Sequence, residues 1–141
     1  MSPFKGSTYA PALATIHAQC FAAPWTVDNF HKILALPTTF GFGNSDGFIL
    51  CADLGDALEI LTLAVLPTHR RQGLATTLLN CVQDYAKTYN KDRIFLEVNS
   101  TNTPAISLYS KNGFTQTNIR KDYYHEKGKT FDALCLTWEK P

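Results

Sequence analysis

Leu63-Ala64-Val65-Leu66-Pro67-Thr68-His69-Arg70-Arg71-Gln72-Gly73-Leu74-Ala75-Thr76 is the stretch that decides the fold. The apolar run Ile60 to Leu66 has strand character and stops at Pro67. Beyond Gly73, apolar side chains recur at Leu74, Leu78, Val82, Tyr85 and Tyr89, in the steps of three and four that line up on one face of a helix. The spacing predicts a strand, a basic turn and a helix start. Backbone N–H groups at a helix start have no intrahelical acceptor and carry about half a unit of positive charge, so such a turn holds anionic oxygens, phosphate above all. Gly73 lets the backbone approach an anion closely, the small Ala75 leaves room beside it, and Arg70 and Arg71 add charge. An ordinary basic turn before a helix would look the same in isolation, so the surrounding chain has to decide.

Upstream, Phe4 to Tyr9 reads as a short edge strand and Ala12 to Phe21 as one or two turns of helix, broken by Ala22-Ala23-Pro24-Trp25. Thr26 is an N-cap for a second helix over Val27 to Leu36, which must stop before Pro37. Strands over Thr38 to Phe42, Phe48 to Asp53 and Ala57 to Leu66, joined by Gly43-Asn44-Ser45-Asp46-Gly47 and Leu54-Gly55-Asp56, make an antiparallel meander. Downstream, the apolar run Arg93 to Asn99 reads as a strand covered on both faces, as a strand reached through a helical crossover should be. Thr103 caps a further helix with Pro104 in its first position, ending at Asn112-Gly113. Phe114 to Tyr124 and Thr130 to Trp138 form a last hairpin. The prediction is one α/β (α+β) domain over residues 1–141, with a mixed, mostly antiparallel sheet of about seven strands and about four helices.

Composition narrows the function classes. With 141 residues, 45% hydrophobic and 18% charged, the chain is long enough for one sizeable core and too apolar to be disordered. A net charge of +1 provides none of the long-range field that drives nonspecific nucleic-acid binding. Cys20, Cys51, Cys81 and Cys135 are scattered, without metal-ligand spacing, and read as reduced thiols. The N-terminal residues lack a signal-peptide pattern, and no apolar run approaches the roughly 20 residues of a membrane span. The expectation is a cytoplasmic protein with no metal, nucleic-acid or membrane partner.

The element order, with Arg-Arg-Gln-Gly-Leu-Ala at the first strand-to-helix crossing, resembles the GCN5-related N-acetyltransferase (GNAT) superfamily. Arg70, Gly73 and Ala75 fill that family's Gln/Arg-x-x-Gly-x-Gly/Ala signature, with alanine where glycine is commoner. Within the family, Phe21-Ala22-Ala23-Pro24-Trp25, Leu96-Glu97-Val98-Asn99, Asn102 to Tyr109, Gly113-Phe114 and Arg120-Lys121-Asp122-Tyr123-Tyr124 are similar to the branch that acetylates the N-terminal alanine of a small-subunit ribosomal protein. The Phe-Ala-Ala-Pro-Trp segment is longer here, a departure that bears on the acceptor. The resemblance implies a splayed parallel strand pair and acetyl-CoA as cosubstrate. Leu63, Ala64, Val65, Arg70, Arg71, Gln72, Gly73, Leu74, Ala75, Thr76 and Asn102 would contact the cofactor, with a backbone N–H near Val65 polarising the carbonyl. It further implies a monomer that acetylates a protein N-terminus by direct transfer, with Trp25, Tyr123 and Tyr124 lining the acceptor groove.

Acetyl transfer from a thioester to an amine needs an uncharged amine, a polarised carbonyl and a proton for the leaving thiolate. A model α-amino group has a pKa of about 7.7 to 8.0, so a modest base suffices. The resemblance carries that role onto Glu97, which also interrupts an apolar strand, and the acid's role onto Tyr109. Packing explanations exist for each: Glu97 could be paired with a basic side chain, Tyr109 could belong to the apolar helix stripe, and Asn102 could be a cap. Glu59, on an adjoining strand, is an alternative base, and His69 could touch phosphate. His17, His31 and His125 have no ligand spacing and are assigned no role. The other readings left open are the same fold acting on another peptide or a small amine, and a noncatalytic acyl-CoA-binding module.

Overall fold

In the computed structural model, which describes residues Met1–Pro141, helices α1 (Ala10–Cys20) and α2 (Val27–Leu34) precede the meander β1 (Thr39–Asn44), β2 (Gly47–Asp53) and β3 (Ala57–Val65). Helix α3 (Leu74–Thr88) crosses to strand β4 (Arg93–Asn99), helix α4 (Thr103–Lys111) follows, and β5 (Thr115–Glu126) and β6 (Lys129–Glu139) form the final hairpin. The strands make one sheet in the order β1-β2-β3-β4-β6-β5, parallel only between β3 and β4. This is the expected α+β architecture with four α-helices, and with six strands rather than about seven. The edge strand expected over Phe4 to Tyr9 is reduced to a single bridge between Phe4 and Gly41, because Ser7–Tyr9 coils into a 3₁₀ turn that runs into α1.

Local chemistry sets the element ends. Thr26 Oγ1 accepts from the Asn29 N–H at 3.1 Å while Asn29 Oδ1 accepts from the Thr26 N–H at 3.0 Å, a reciprocal cap that starts α2 at the expected residue. Helix α4 starts one residue earlier in its capping than expected: Asn102, not Thr103, is the cap, its Oδ1 accepting from the Ala105 N–H at 3.3 Å. Asparagine caps at least as well as threonine, and Pro104 in the second position gives up only an N–H that had no helical partner.

Two apolar layers sandwich half of the sheet. Alternate residues of β2 divide between them: Ile49 and Cys51 pack toward α3, and Phe48 and Leu50 toward α1 and α2. The α3 layer continues across β4 through Ile94, Leu96 and Val98, but the α1/α2 layer ends at β3. Strand β4 is therefore buried on one face only, and Phe95 and Glu97 on its other face are half-buried. That corrects the expectation of a strand covered on both faces. Glu97 does not interrupt a core; it stands on the open face of the sheet. Likewise Tyr89 ends the expected helix stripe at 59% exposed, one residue past α3, and Leu79 and Ala86 fill the buried face instead.

The strand pair that builds the site is paired for only three steps, Ala57 with Arg93, Leu58 with Ile94 and Glu59 with Phe95. Beyond them β3 and β4 diverge. On its other edge β3 carries a bulge, since Leu50 pairs with Thr62 and the neighbouring Cys51 with Ile60, leaving Leu61 as an extra residue. A bulge bends its strand and increases local twist. It also shifts the alternation of side chains: Leu58, Ile60 and Leu63 pack with the α3 layer, whereas Leu61 packs with α1 and α2. Leu58 is fully buried at the last paired steps. Leu58→Ala is expected to destabilise the fold by about 2 to 5 kcal/mol, read as a lowered midpoint in urea unfolding.

Candidate active site

The divergence of β3 and β4 opens two adjoining cavities on the side where α1 and α2 leave the sheet uncovered. The first, about 640 Å³, runs from Leu63–Val65 past the basic turn to the start of α4, and Arg70, Arg71, Gly73, Leu74, Ala75, Thr76 and Asn102 line it. The second, about 380 Å³, lies between Ile60–Leu63 and Leu96–Asn99, with Trp25, Tyr124 and Glu126 at its sides. Phe21, Leu63, Asn102, Ala105 and Tyr109 border both, so the cavities meet there.

The turn is built as an anion cradle. Arg71 and Gly73 both take left-handed backbone conformations, φ 62° and 84°, which fold the chain back on itself before α3. No side chain caps α3, leaving its first N–H groups without a side-chain partner beside the cavity. Arg70 has a different job from a bare charge: its Nε donates to the Val65 carbonyl at 3.0 Å, tying the turn to the end of β3, and Cys20 Sγ donates to the same oxygen at 3.3 Å. Gln72 alone of the expected cofactor contacts does not line the cavity. His69 does line it, and faces Asp46 at 3.4 Å. An elongated cavity with a positive, donor-rich end suits a long ligand with a phosphate-bearing segment, as acetyl-CoA is.

At the second cavity Glu97 Oε1 accepts from Arg120 Nη1 at 2.9 Å, and Arg120 in turn lies over the Tyr123 ring, 4.0 Å from its centroid. Glu97 Oε2 is buried and has no partner in the chain. Both the pairing and the cavity-facing carboxylate thus hold for the same residue. The exposed Tyr123 ring supports Arg120 and does not line the groove, whereas Tyr124 and Trp25 do. Tyr109 packs edge-on against Phe114 with centroids 5.6 Å apart; burial pushes its hydroxyl well above the ordinary phenol range, keeping it protonated. Glu59 is raised by burial and then by the charge of Glu97, and it lines neither cavity.

Sequence reasoning passed over His17, Phe21 and Arg120. His17 is 3% exposed, and burial lowers its pKa to about 4 from 6.5. The neutral ring is favoured in the fold, so as pH falls below 6.5 the unfolded chain takes up a proton that the folded chain refuses until about pH 4. The stability from this group is complete above pH 6.5 and declines between 6.5 and 4. Urea midpoints measured across that range are expected to fall less steeply in His17→Phe than in the parent chain.

Residues 10–114 match the model of the acetyltransferase (GNAT) family. A Bacillus subtilis relative, provisionally named a [ribosomal protein bS18]-alanine N-acetyltransferase, is 34% identical over 127 residues, 86% of this chain and 83% of its own. The crystal structure of the ribosomal-protein-S18-alanine N-acetyltransferase from Escherichia coli, the RimI enzyme, superposes with a TM-score of 0.87 at 26% identity, covering 99% of this chain and 93% of that one. A GNAT family acetyltransferase from Elizabethkingia anophelis with acetyl-CoA bound is similar over 72% of this chain and 74% of its own, with a TM-score of 0.62 and 25% identity. Family match, relatives and the splayed strand pair agree, and this chain belongs to the GNAT family of N-acetyltransferases.

Proposed function

We propose that the protein is an acetyl-CoA-dependent N-alpha-acetyltransferase that modifies a protein N-terminus, the alanine end of a small-subunit ribosomal protein above others, acting as a monomer. The observation that carries this reading is the unpartnered, buried Glu97 Oε2 in a cavity that meets the cofactor-sized cavity at Tyr109. A buried carboxylate oxygen without a donor is costly, and an incoming ammonium supplies both the donor and the charge. The names of the two bS18-alanine relatives support the choice of acceptor.

Acetyl-CoA, when bound, supplies the activated acetyl thioester. The turn Arg71 to Thr76 holds its pyrophosphate, Leu63 to Val65 offer backbone groups along the opened edge of β3, and Asn102, whose side-chain oxygen is committed to its cap, has its amide N–H groups left for contact. A backbone N–H near Val65 polarises the carbonyl. Glu97 takes the proton from the acceptor ammonium, directly or through one water, and the free amine attacks. Tyr109 gives its phenolic proton to the leaving sulfur and is reprotonated from solvent. Burial raises the Tyr109 pKa, and the same apolar surroundings also disfavour a free thiolate, so the two effects oppose each other in the proton transfer. Trp25 and Tyr124 flank the acceptor.

The test is to incubate the protein with acetyl-CoA and a peptide bearing the ribosomal N-terminus, or a small polyamine, and follow free thiol. Turnover on the peptide with its α-amine acetylated is expected; turnover on the polyamine alone, or on no amine despite CoA binding, would overturn the reading. Glu97→Gln and Tyr109→Phe are each expected to lower kcat by about 10²-fold to 10⁴-fold with CoA affinity retained. An undiminished rate in Glu97→Gln across pH 6 to 9 would remove the base from Glu97.

A further inference from the structure

His17 lines the acceptor cavity and takes no part in the proton transfers. Its ring is nevertheless fully engaged. Nδ1 accepts from the Trp25 N–H at 3.1 Å, so in the neutral ring the proton sits on Nε2, which donates to Thr62 Oγ1 at 3.2 Å. The ring also stacks on Phe21, with centroids 4.2 Å apart and planes at 25°, and on Trp25, at 5.2 Å and 24°. One side chain of α1 thus grips three things: the two aromatic side chains of the loop 21–26, that loop's backbone at Trp25, and β3 just past its bulge.

The loop is also tied to the helices, by the Phe21 N–H donating to the His17 carbonyl, by Trp25 packing on Phe30 with centroids 5.4 Å apart and by the Thr26 cap, but His17 is the side chain that links it by hydrogen bond to β3. Ala22, Ala23 and Pro24 are exposed between Phe21 and Trp25, yet Phe21, Ala23 and Trp25 form one wall of the acceptor cavity. Thr62 belongs to the part of β3 that has already parted from β4, so its position is not fixed by parallel pairing. The opposite wall carries Glu97 and Asn99 on β4. The width of the cavity is therefore set by what holds the loop against β3.

We propose that His17 is a positioning residue for the acceptor: its imidazole pins the loop 21–26 to the splayed half of β3 and so sets how tightly an N-terminal peptide is held, without touching the reacting atoms. This deepens the functional reading above and rests on it. The cofactor cradle begins at Leu63, the residue after Thr62, and shares Phe21 with the acceptor cavity, but His17 itself lines only the acceptor cavity.

The experiment is steady-state kinetics with the acceptor peptide, beside CoA binding measured by calorimetry. His17→Phe keeps ring volume and stacking and removes both nitrogens. It removes both hydrogen bonds and is expected to raise the acceptor KM about tenfold or more, with kcat and CoA affinity each within about twofold. His17→Asn, whose amide oxygen can accept from the Trp25 N–H, should recover part of the loss. An unchanged acceptor KM in a folded His17→Phe, or a loss spread equally over CoA affinity and kcat, would overturn the proposal. Should His17→Phe fail to fold, Thr62→Val, which removes only the Nε2 partner, decides: a raised acceptor KM with kcat and CoA affinity kept supports it, and an unchanged KM overturns it. A parent chain that acetylates no peptide overturns the functional reading and this one with it, whereas an active parent with indifferent variants overturns this one alone.

Discussion

Parallel pairing of β3 with β4 stops after Glu59 and Phe95, and the site follows from that stop. Three pairs anchor the two strands at one end, over buried Leu58 and Ile94, which fixes where both strands start and how they are oriented. The bulge at Leu61 then bends β3 while β4 stays paired with β6 along its whole length, from Arg93 opposite Glu139 to Asn99 opposite Ala133. One strand turns away from another that cannot follow. Two half-sheets frame the gap between them, and strands hold position better than loops; the loop 21–26 and the start of α4 close its remaining sides.

The open side of that gap explains the electrostatics. Because the α1/α2 layer ends at β3, Glu97 lies under partial cover, neither solvated nor paired on both oxygens. Its charge is felt by its neighbours: it contributes to raising Glu59, Tyr124 and Cys135, after burial in each case, and the Arg120 guanidinium is raised by the hydrogen bond it donates to Glu97. The exposed Arg120 is the kind of counterion that can give way to a substrate cation, since its tie to Glu97 is screened by solvent.

Much of this was legible in the chain. The strand-turn-helix at Leu63 to Thr76, the Thr26 cap and the meander rest on local rules of periodicity, capping and turn composition, and they form where those rules put them. The bulge was not legible, because Ile60 to Leu66 is apolar at nearly every position and a shift of one residue leaves no trace in such a run. Nor was the one-sided burial of β4, which depends on how far a helix layer extends over the sheet. Arg120 on β5 reaches Glu97 on β4 across the intervening β6, 23 residues apart in sequence, and Tyr123 serves Arg120 rather than the groove; both depend on the sheet order. His17 carried no spacing signal at all: its partners Trp25 and Thr62 lie 8 and 45 residues away, and only packing makes it the hub of the loop.

The central claim is that acetyl-CoA is held along the edge of β3 that β4 abandons. Amide hydrogen exchange, residue by residue, with and without CoA tests it most directly. The account predicts that protection rises at Leu63 to Val65 and Arg71 to Thr76 while Ala57 to Glu59, already paired, and the β5 hairpin are unchanged. Protection gained elsewhere, with the opened edge of β3 and the basic turn exchanging as before, would contradict it.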